Sequence, residues 1–215
     1  MKERNLKKKY LMIFIAVNLI GIAVALILES KLGCDPIGLL CDGISHLFST
    51  KFGIASFIYN TFIIGVALLV ARRNLGTGTI VYGLLSGFFI DFYSMIFGRF
   101  ELASRGLEYS ILTFVIGELC MSLAFAILMQ CQLGMTALDA VLVKIKEITH
   151  IPYAYLKIGT DILLVVSGAL MGGTFGAGTI ISALVTGTLV TNFAKLIEYI
   201  QSKKIKGGYI LNKEV

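Results

Sequence analysis

Three carboxylates lie where an apolar sequence should not hold them: Asp91, Glu118 and Asp161 each fall inside a long apolar run of this 215-residue chain. A charge at the centre of a membrane-crossing helix costs about 2.5–3.5 kcal/mol on insertion scales, so such a residue must face a bundle interior, a partner or water. Carboxylates so placed can bind a cation or relay a proton. Asn18 and Asn60 add neutral hydrogen-bonding groups, and Asp35 follows the first apolar run. Lys157 stands one helical turn before Asp161 and can pair with it, which weakens Asp161 as a free ligand. The candidate substrate or ion path is therefore Asp35, Asn60, Asp91, Glu118 and Asp161. For any single one of them, a hydrogen bond that merely holds two helices together is an equally good account.

Enzyme chemistry is not expected. The histidines, His46 and His150, are far apart in sequence, and neither a nucleophile elbow, a phosphate loop nor a metal-spaced cluster surrounds them. Cys34, Cys41, Cys120 and Cys131 show no C-x-x-C spacing and read as small apolar residues; Lys31 also stands where a lipoprotein acylation site at Cys34 would need an aliphatic residue. No cofactor and no metal are expected.

The elements that must carry the carboxylates follow from composition. At 57% hydrophobic and 15% charged residues, with a mean hydropathy of +0.87, the chain has more apolar surface than a soluble domain of this length can bury. Apolar runs near 10–29, 54–71, 77–97, 110–129, 153–172 and 177–198 are each about the 20 residues that cross a bilayer core as a helix. The first, preceded by Lys7-Lys8-Lys9, looks like a signal peptide. Its internal mate in the second half cannot be cleaved, so it reads as a retained helix. The net charge of +6 gathers at Lys2 to Lys9, Arg72-Arg73 and Lys203 to Lys213, beside apolar runs. That is the pattern of topology signals and lipid contacts, and no nucleic-acid partner is expected.

The chain also repeats itself. "LGTGTIVYGLLSGFFIDF" (75–92) returns as "FGAGTIISALVTGTLVTN" (175–192), and at an offset of 101 Leu32-Gly33 matches Leu133-Gly134 and Tyr59-Asn60 matches Thr160-Asp161. The predicted fold is all-α: a polytopic helical membrane bundle of two tandem repeats, about 10–97 and 110–198, in one membrane domain spanning 1–215, with a cytoplasmic tail at 199–215. Each repeat holds three spans and one short amphipathic helix, "PIGLLCDGISHLF" (36–48) or "ALDAVLVKIKEI" (137–148), too short to cross. Asp35 with Pro36, and Thr136 with Asp139 in a capping box, mark their starts. In the first, Asp42, Ser45 and Ser49 fall opposite an apolar stripe, so these helices lie in the interface or dip in and return.

An odd number of spans per copy inverts the second repeat. With the N-terminus in the cytoplasm, the basic clusters then fall inside and only Lys31, Lys51, Arg99 and Arg105 outside. Counting the short helices as spans gives eight crossings and a parallel repeat instead; the charges within 137–148 favour six. Gly83-x3-Gly87 and Gly168-x3-Gly172 read as close helix packing within the bundle, with a homo-oligomer face as the alternative. The paired helix starts at Gly76, Thr77, Gly78 and Thr79 and at Gly176, Gly178 and Thr179 offer a weaker possibility, an anion held on free amide groups.

"LGCDPIGLLCDGIS" at 32–45, Gly53 and Asn60, and "GTGT" followed by "GFFID" at 76–91 resemble the YczE/YyaS/YitT family of bacterial integral membrane proteins, most of all its YczE branch. The resemblance covers nearly the whole chain. It implies a multi-helix, multi-pass protein of the bacterial cytoplasmic membrane, with no assigned activity and no catalytic residues. The second copy departs from these signatures, with Met135-Thr136-Ala137 for Cys34-Asp35-Pro36 and Thr191 for Asp91. Residues and resemblance together lead to a small transporter or permease-like protein for an unknown small molecule or ion. The alternative is a noncatalytic scaffold or regulator that binds another membrane protein.

Overall fold

The computed structural model describes residues 2–134 and 136–211, with side chains for 7–134 and 136–200. Met135, the side chains before Lys7, the basic run from Lys203 to Lys213 and the end of the proposed tail lie outside what is described. Among the described residues there are eight α-helices and no strand: α1 (Lys2–Ser30), α2 (Pro36–Leu47), α3 (Phe52–Val70), α4 (Thr77–Phe97), α5 (Leu107–Cys131), α6 (Ala137–Thr149), α7 (Tyr153–Leu170) and α8 (Ala177–Leu211). Six of them, all but α2 and α6, are long and apolar enough to cross a membrane.

The helices begin and end where local chemistry dictates. Pro36 opens α2, since its missing N–H is needed by no partner in a first turn. Thr136 caps α6: its hydroxyl oxygen accepts from the Asp139 amide at 3.2 Å, one half of the expected box, while the Asp139 carboxylate accepts the Thr136 hydroxyl instead of its backbone N–H. Helix α7 stops at Leu170, and Gly172 lies beyond it with φ +90°, so the expected Gly168-x3-Gly172 face is not helical throughout. Helix α8 runs past the expected end of its span at 198 to Leu211.

The core is built around α1 and α5. Ile13, Val17, Ile20, Ala23 and Ile27 of α1 are almost fully buried, as are Met121 and Ala124 of α5. A helix this central cannot be a dispensable leader. The two run antiparallel: Cys131 at the end of α5 meets the Lys9 carbonyl, and Gly117 meets Ala23 and Ile27. Helix α4 lies along α1 in the same direction, with Tyr10 bonded to Thr77 at one end and Asn18 near Tyr93 further on. Helix α8 lies along α5, Gln130 reaching Glu198 at 3.0 Å. Because α1 and α4 start at the same end, α3 returns between them and α2 makes no full crossing.

Of its two expected placements, in the interface or dipping in and returning, helix α2 does not take the interfacial one. It packs between α3 and α7, and its polar residues Asp42 and Ser45 are buried while Leu47 and Phe48 are exposed. Asp42 accepts the Thr174 amide at 2.7 Å, so the carboxylate closes an interhelical loop. Helix α6 packs on α3 and keeps Glu147 outward.

The pairs α3–α4 and α7–α8 differ sharply. Helices α3 and α4 pack along each other, whereas α7 and α8 stand apart with at most marginal contact. The closure rests on Gly53 and Gly87, whose backbones touch: a Cβ at either would overlap the other's carbonyl oxygen. A Cβ at Gly187, the sequence mate of Gly87, meets nothing within 4 Å. Gly87→Leu should therefore wreck the α3–α4 seam, whose overpacking costs roughly 1–3 kcal/mol or more, while Gly187→Leu should leave stability unchanged or slightly raised. Thermal melts of both variants in detergent check this, and equal melting temperatures would refute it.

Candidate functional site

Where α7 and α8 part, a cavity of about 740 Å³ enters the bundle. Both halves of the chain line it: Asp35 and Tyr82 from the first, Thr136, Asp139, Lys157 and Asp161 from the second. The short helices supply the polar floor. Loops that follow α1 and α5 bring the starts of α2 and α6, hence Asp35 and Thr136, to one chamber. Much of the remaining wall is apolar, including Met121, Phe125, Ile158 and Val190.

The charged groups of the chamber have unequal partners. Lys157 Nζ donates to Asp161 at 2.7 Å, one turn along α7. Asp139 accepts two hydroxyls, from Tyr153 at 2.7 Å and from Thr136 at 2.6 Å. No side-chain donor is hydrogen-bonded to Asp35 among the described residues. Burial raises its carboxyl group to about 6, and the negative charge of Glu118 adds to the rise; the Gly38 and Ile37 amides and Lys157 partly offset it.

Glu118 stands one layer behind the wall. It is buried and accepts the Ser182 hydroxyl at 2.8 Å and the Thr186 hydroxyl. Ser182 and Thr186 themselves line the chamber. Thus two of the five carboxylate or amide candidates, Asp35 and Asp161, reach the cavity, and a third, Glu118, touches its wall.

Asn60 and Asp91 do not reach it. Asn60 is buried and donates to Ser56 O, at 2.9 Å, in its own helix. Asp91 accepts the Gly53 amide at 2.7 Å, so it caps the start of α3 from the far end of α4. That N–H is one of the four that a helix leaves without an internal partner, and the partial positive charge there favours a carboxylate. This supplies Asp91 with a packing role.

At the paired helix starts the four glycine amides already have partners. Gly78 N–H donates to Leu133 O at 2.9 Å and Gly178 N–H to Leu32 O at 2.8 Å. The amides of Gly76 and Gly176 turn to Thr79 and Thr179. The loops after α5 and α1 fill the places an anion would take.

Sequence reasoning missed Asp139, Tyr153 and Lys157 as members of one chamber. Asp139 carried a capping signal and Lys157 a pairing signal, both local, and neither tells which way a short helix faces. One signal was available: at the 101-residue offset Asp35 matches Thr136, and both line the same chamber.

A helical bundle with six membrane-length helices and a chamber between its halves is the architecture of a polytopic integral membrane protein. The chain belongs to a family of unknown function (DUF6198), whose model matches residues 7–195. It is similar to an uncharacterized protein of Haemophilus influenzae, 28% identical over 85% of this chain and 81% of that one. It is also similar to two proteins of Bacillus subtilis. One is the uncharacterized membrane protein YczE, 24% identical over 87% of this chain and 86% of the relative. The other is the uncharacterized protein YyaS, 20% identical over 94% and 100%. No solved structure matches.

The raised Asp35 gives a pH signature. Between its ordinary value of 3.8 and about 6 the folded chain keeps a proton that the unfolded chain releases. Stability therefore falls as pH rises through this window and then levels off. Asp35→Asn should remove that slope, melting higher than wild type at pH 7.5 and with no gain at pH 4. A difference between the two proteins that does not vary with pH would contradict the assignment.

Proposed function

We propose that this protein is a small permease-like transporter of the bacterial cytoplasmic membrane, with both termini in the cytoplasm and the α7–α8 chamber as its substrate site. The observation that carries the reading is a chamber of about 740 Å³ lined by ionisable groups from both halves, within the size range of small-molecule sites. A purely structural bundle would gain by closing α7 on α8 and burying their apolar faces.

The arrangement of the two halves adds support. The sequence copies 10–97 and 110–198 run in opposite directions through their first helices, α1 and α5, as inverted repeats require. In the first copy Gly53 meets Gly87 and Asp91. The mates of these residues, Ala154, Gly187 and Thr191, all line the open chamber. Thr191 donates to Gly187 O of its own helix instead of crossing to α7. One seam is closed and its counterpart open. On this reading the second state exchanges them, with α7 closing on α8 as α3 leaves α4, and Asp91 is the latch of the closed seam.

Accessibility tests the proposal. In a protein whose native cysteines are replaced, Ala183→Cys, on the chamber wall, should react with a water-soluble thiosulfonate, whereas Leu184→Cys, one residue on and 74% exposed at the bundle surface, should not. A reporter fused after Arg73 should give a cytoplasmic signal and one at Arg105 an external signal. An unreactive Ala183→Cys, together with no stabilising ligand in a thermal-shift screen of metabolites and ions, would favour a scaffold that binds another membrane protein.

A further inference from the structure

The chamber's walls, charges and mouth narrow the cargo, on the permease reading. Its charge is acidic: Asp35, Asp139 and Asp161 against Lys157 alone. Lys157 is committed to Asp161 at 2.7 Å, and Asp139 is satisfied by two hydroxyls. Asp35 is left as the carboxylate without a side-chain donor. An anionic cargo would meet three carboxylates at close range in a setting that screens little.

Most of the remaining wall excludes a small, strongly hydrated cation for a different reason. Met121, Phe125, Leu128, Ile158 and Val190 offer apolar surface and no oxygen ligands to replace lost water. Among the described residues no group of three or more His, Cys, Asp or Glu is placed to hold a metal ion. The mouth supplies a third observation. It lies between two membrane-length helices, and Ala154 and Gly187 among their lining residues carry little that would obstruct passage. On the permease reading this gap would let a bilayer-dissolved molecule approach the chamber from the side.

We infer that the chamber binds an amphiphilic organic cation that enters from the bilayer between α7 and α8, its charge set against Asp35 and its apolar body against the Met121, Phe125 and Ile158 wall. The inference rests on the permease reading and adds to it the chemical class of the cargo. Asp35 acts as counter-ion; Lys157 limits affinity by neutralising Asp161.

The isosteric ions tetraphenylphosphonium and tetraphenylborate separate charge from shape. With the full chain in nanodiscs, and empty nanodiscs subtracted, equilibrium dialysis should show saturable tetraphenylphosphonium binding that tetraphenylborate does not displace. Asp35→Asn should weaken it at least about tenfold, the scale of one lost charged contact. Glu147→Gln, an exposed change outside the chamber, should leave it alone. Lys157→Gln should tighten it several-fold by freeing Asp161, a gain that misfolding cannot imitate. Displacement by tetraphenylborate, equal binding by Asp35→Asn and Glu147→Gln, weaker binding by Lys157→Gln, or no saturable binding would each overturn the inference. The permease reading fails separately, on an unreactive Ala183→Cys and an empty ligand screen; reactive Ala183→Cys without phosphonium binding would remove only the cargo class.

Discussion

Two backbone hydrogen bonds, Gly78 N–H to Leu133 O and Gly178 N–H to Leu32 O, join the loops of each half to a helix start of the other. Inside a membrane protein, irregular backbone survives only where protein or enclosed water satisfies its polar groups. The loops after α1 and α5 are such segments. Each contains a glycine with left-handed φ, +95° at Gly33 and +108° at Gly134, pressed against the backbone of the partner helix start. A side chain at either place would be strained by its φ and would collide with Gly176 or Gly76. Because these contacts hold the loops, the short helices that follow are aimed inward, and Asp35 and Thr136 arrive at one chamber. The same bonds occupy the Gly78 and Gly178 amides, which the anion-binding reading of the helix starts would leave free.

Polar groups inside the bundle sort by partner, and the sorting separates architecture from site. Asp91 is tied to the Gly53 amide, Asp42 to the Thr174 amide, and Glu118 to two hydroxyls of α8. Each link joins elements distant in sequence and fixes their spacing. Glu118 also bridges the classes, since its partners face the chamber and its charge acts on Asp35. The chamber carboxylates, in contrast, either hold partners nearby in sequence, as Asp161 does in Lys157 and Asp139 in Thr136 and Tyr153, or are left without a side-chain donor among the described residues, as Asp35 is. A group of that second kind is available to something that comes and goes.

The six spans and the absence of strands were legible because apolar runs near 20 residues admit few other readings. The capping box at Thr136 and Asp139 was legible because it is local chemistry. Orientation was not. The stripe on α2 left open whether the helix lies in the interface or dips in and returns; Asp42 is buried, because a helix enclosed between α3 and α7 can satisfy a carboxylate with a loop amide as well as with water. Asp91 illustrates the same limit: the cost of a charge in a span shows that a partner exists, and sequence cannot tell a cation from the backbone N–H of Gly53. The chamber depended on residues far apart in the chain, so Asp139, Tyr153 and Lys157 joined it only once the loops were placed.

The unequal seams are what turn this bundle from a set of contacts into a system with a direction of change. Closing α7 on α8 would bury apolar surface on both helices, and glycine at 187 leaves room for the approach. What opposes closure is the chamber's charge: Lys157, Asp161 and Asp139 would lose water, and a buried carboxylate is costly unless fully paired. Asp35 is the group that cannot be paired from within the described residues. On the proposed reading, a bound cation would neutralise it and lower that obstacle to closing, which would give cargo binding and conformational change one cause. On the proposed transport reading the first half resembles the closed end of that change, with Asp91 holding a backbone amide where the second half has Thr191 lining an open chamber. On the same reading, Thr191 in place of a carboxylate leaves α7 and α8 without the latch by which Asp91 ties α4 to α3, since its hydroxyl bonds within its own helix.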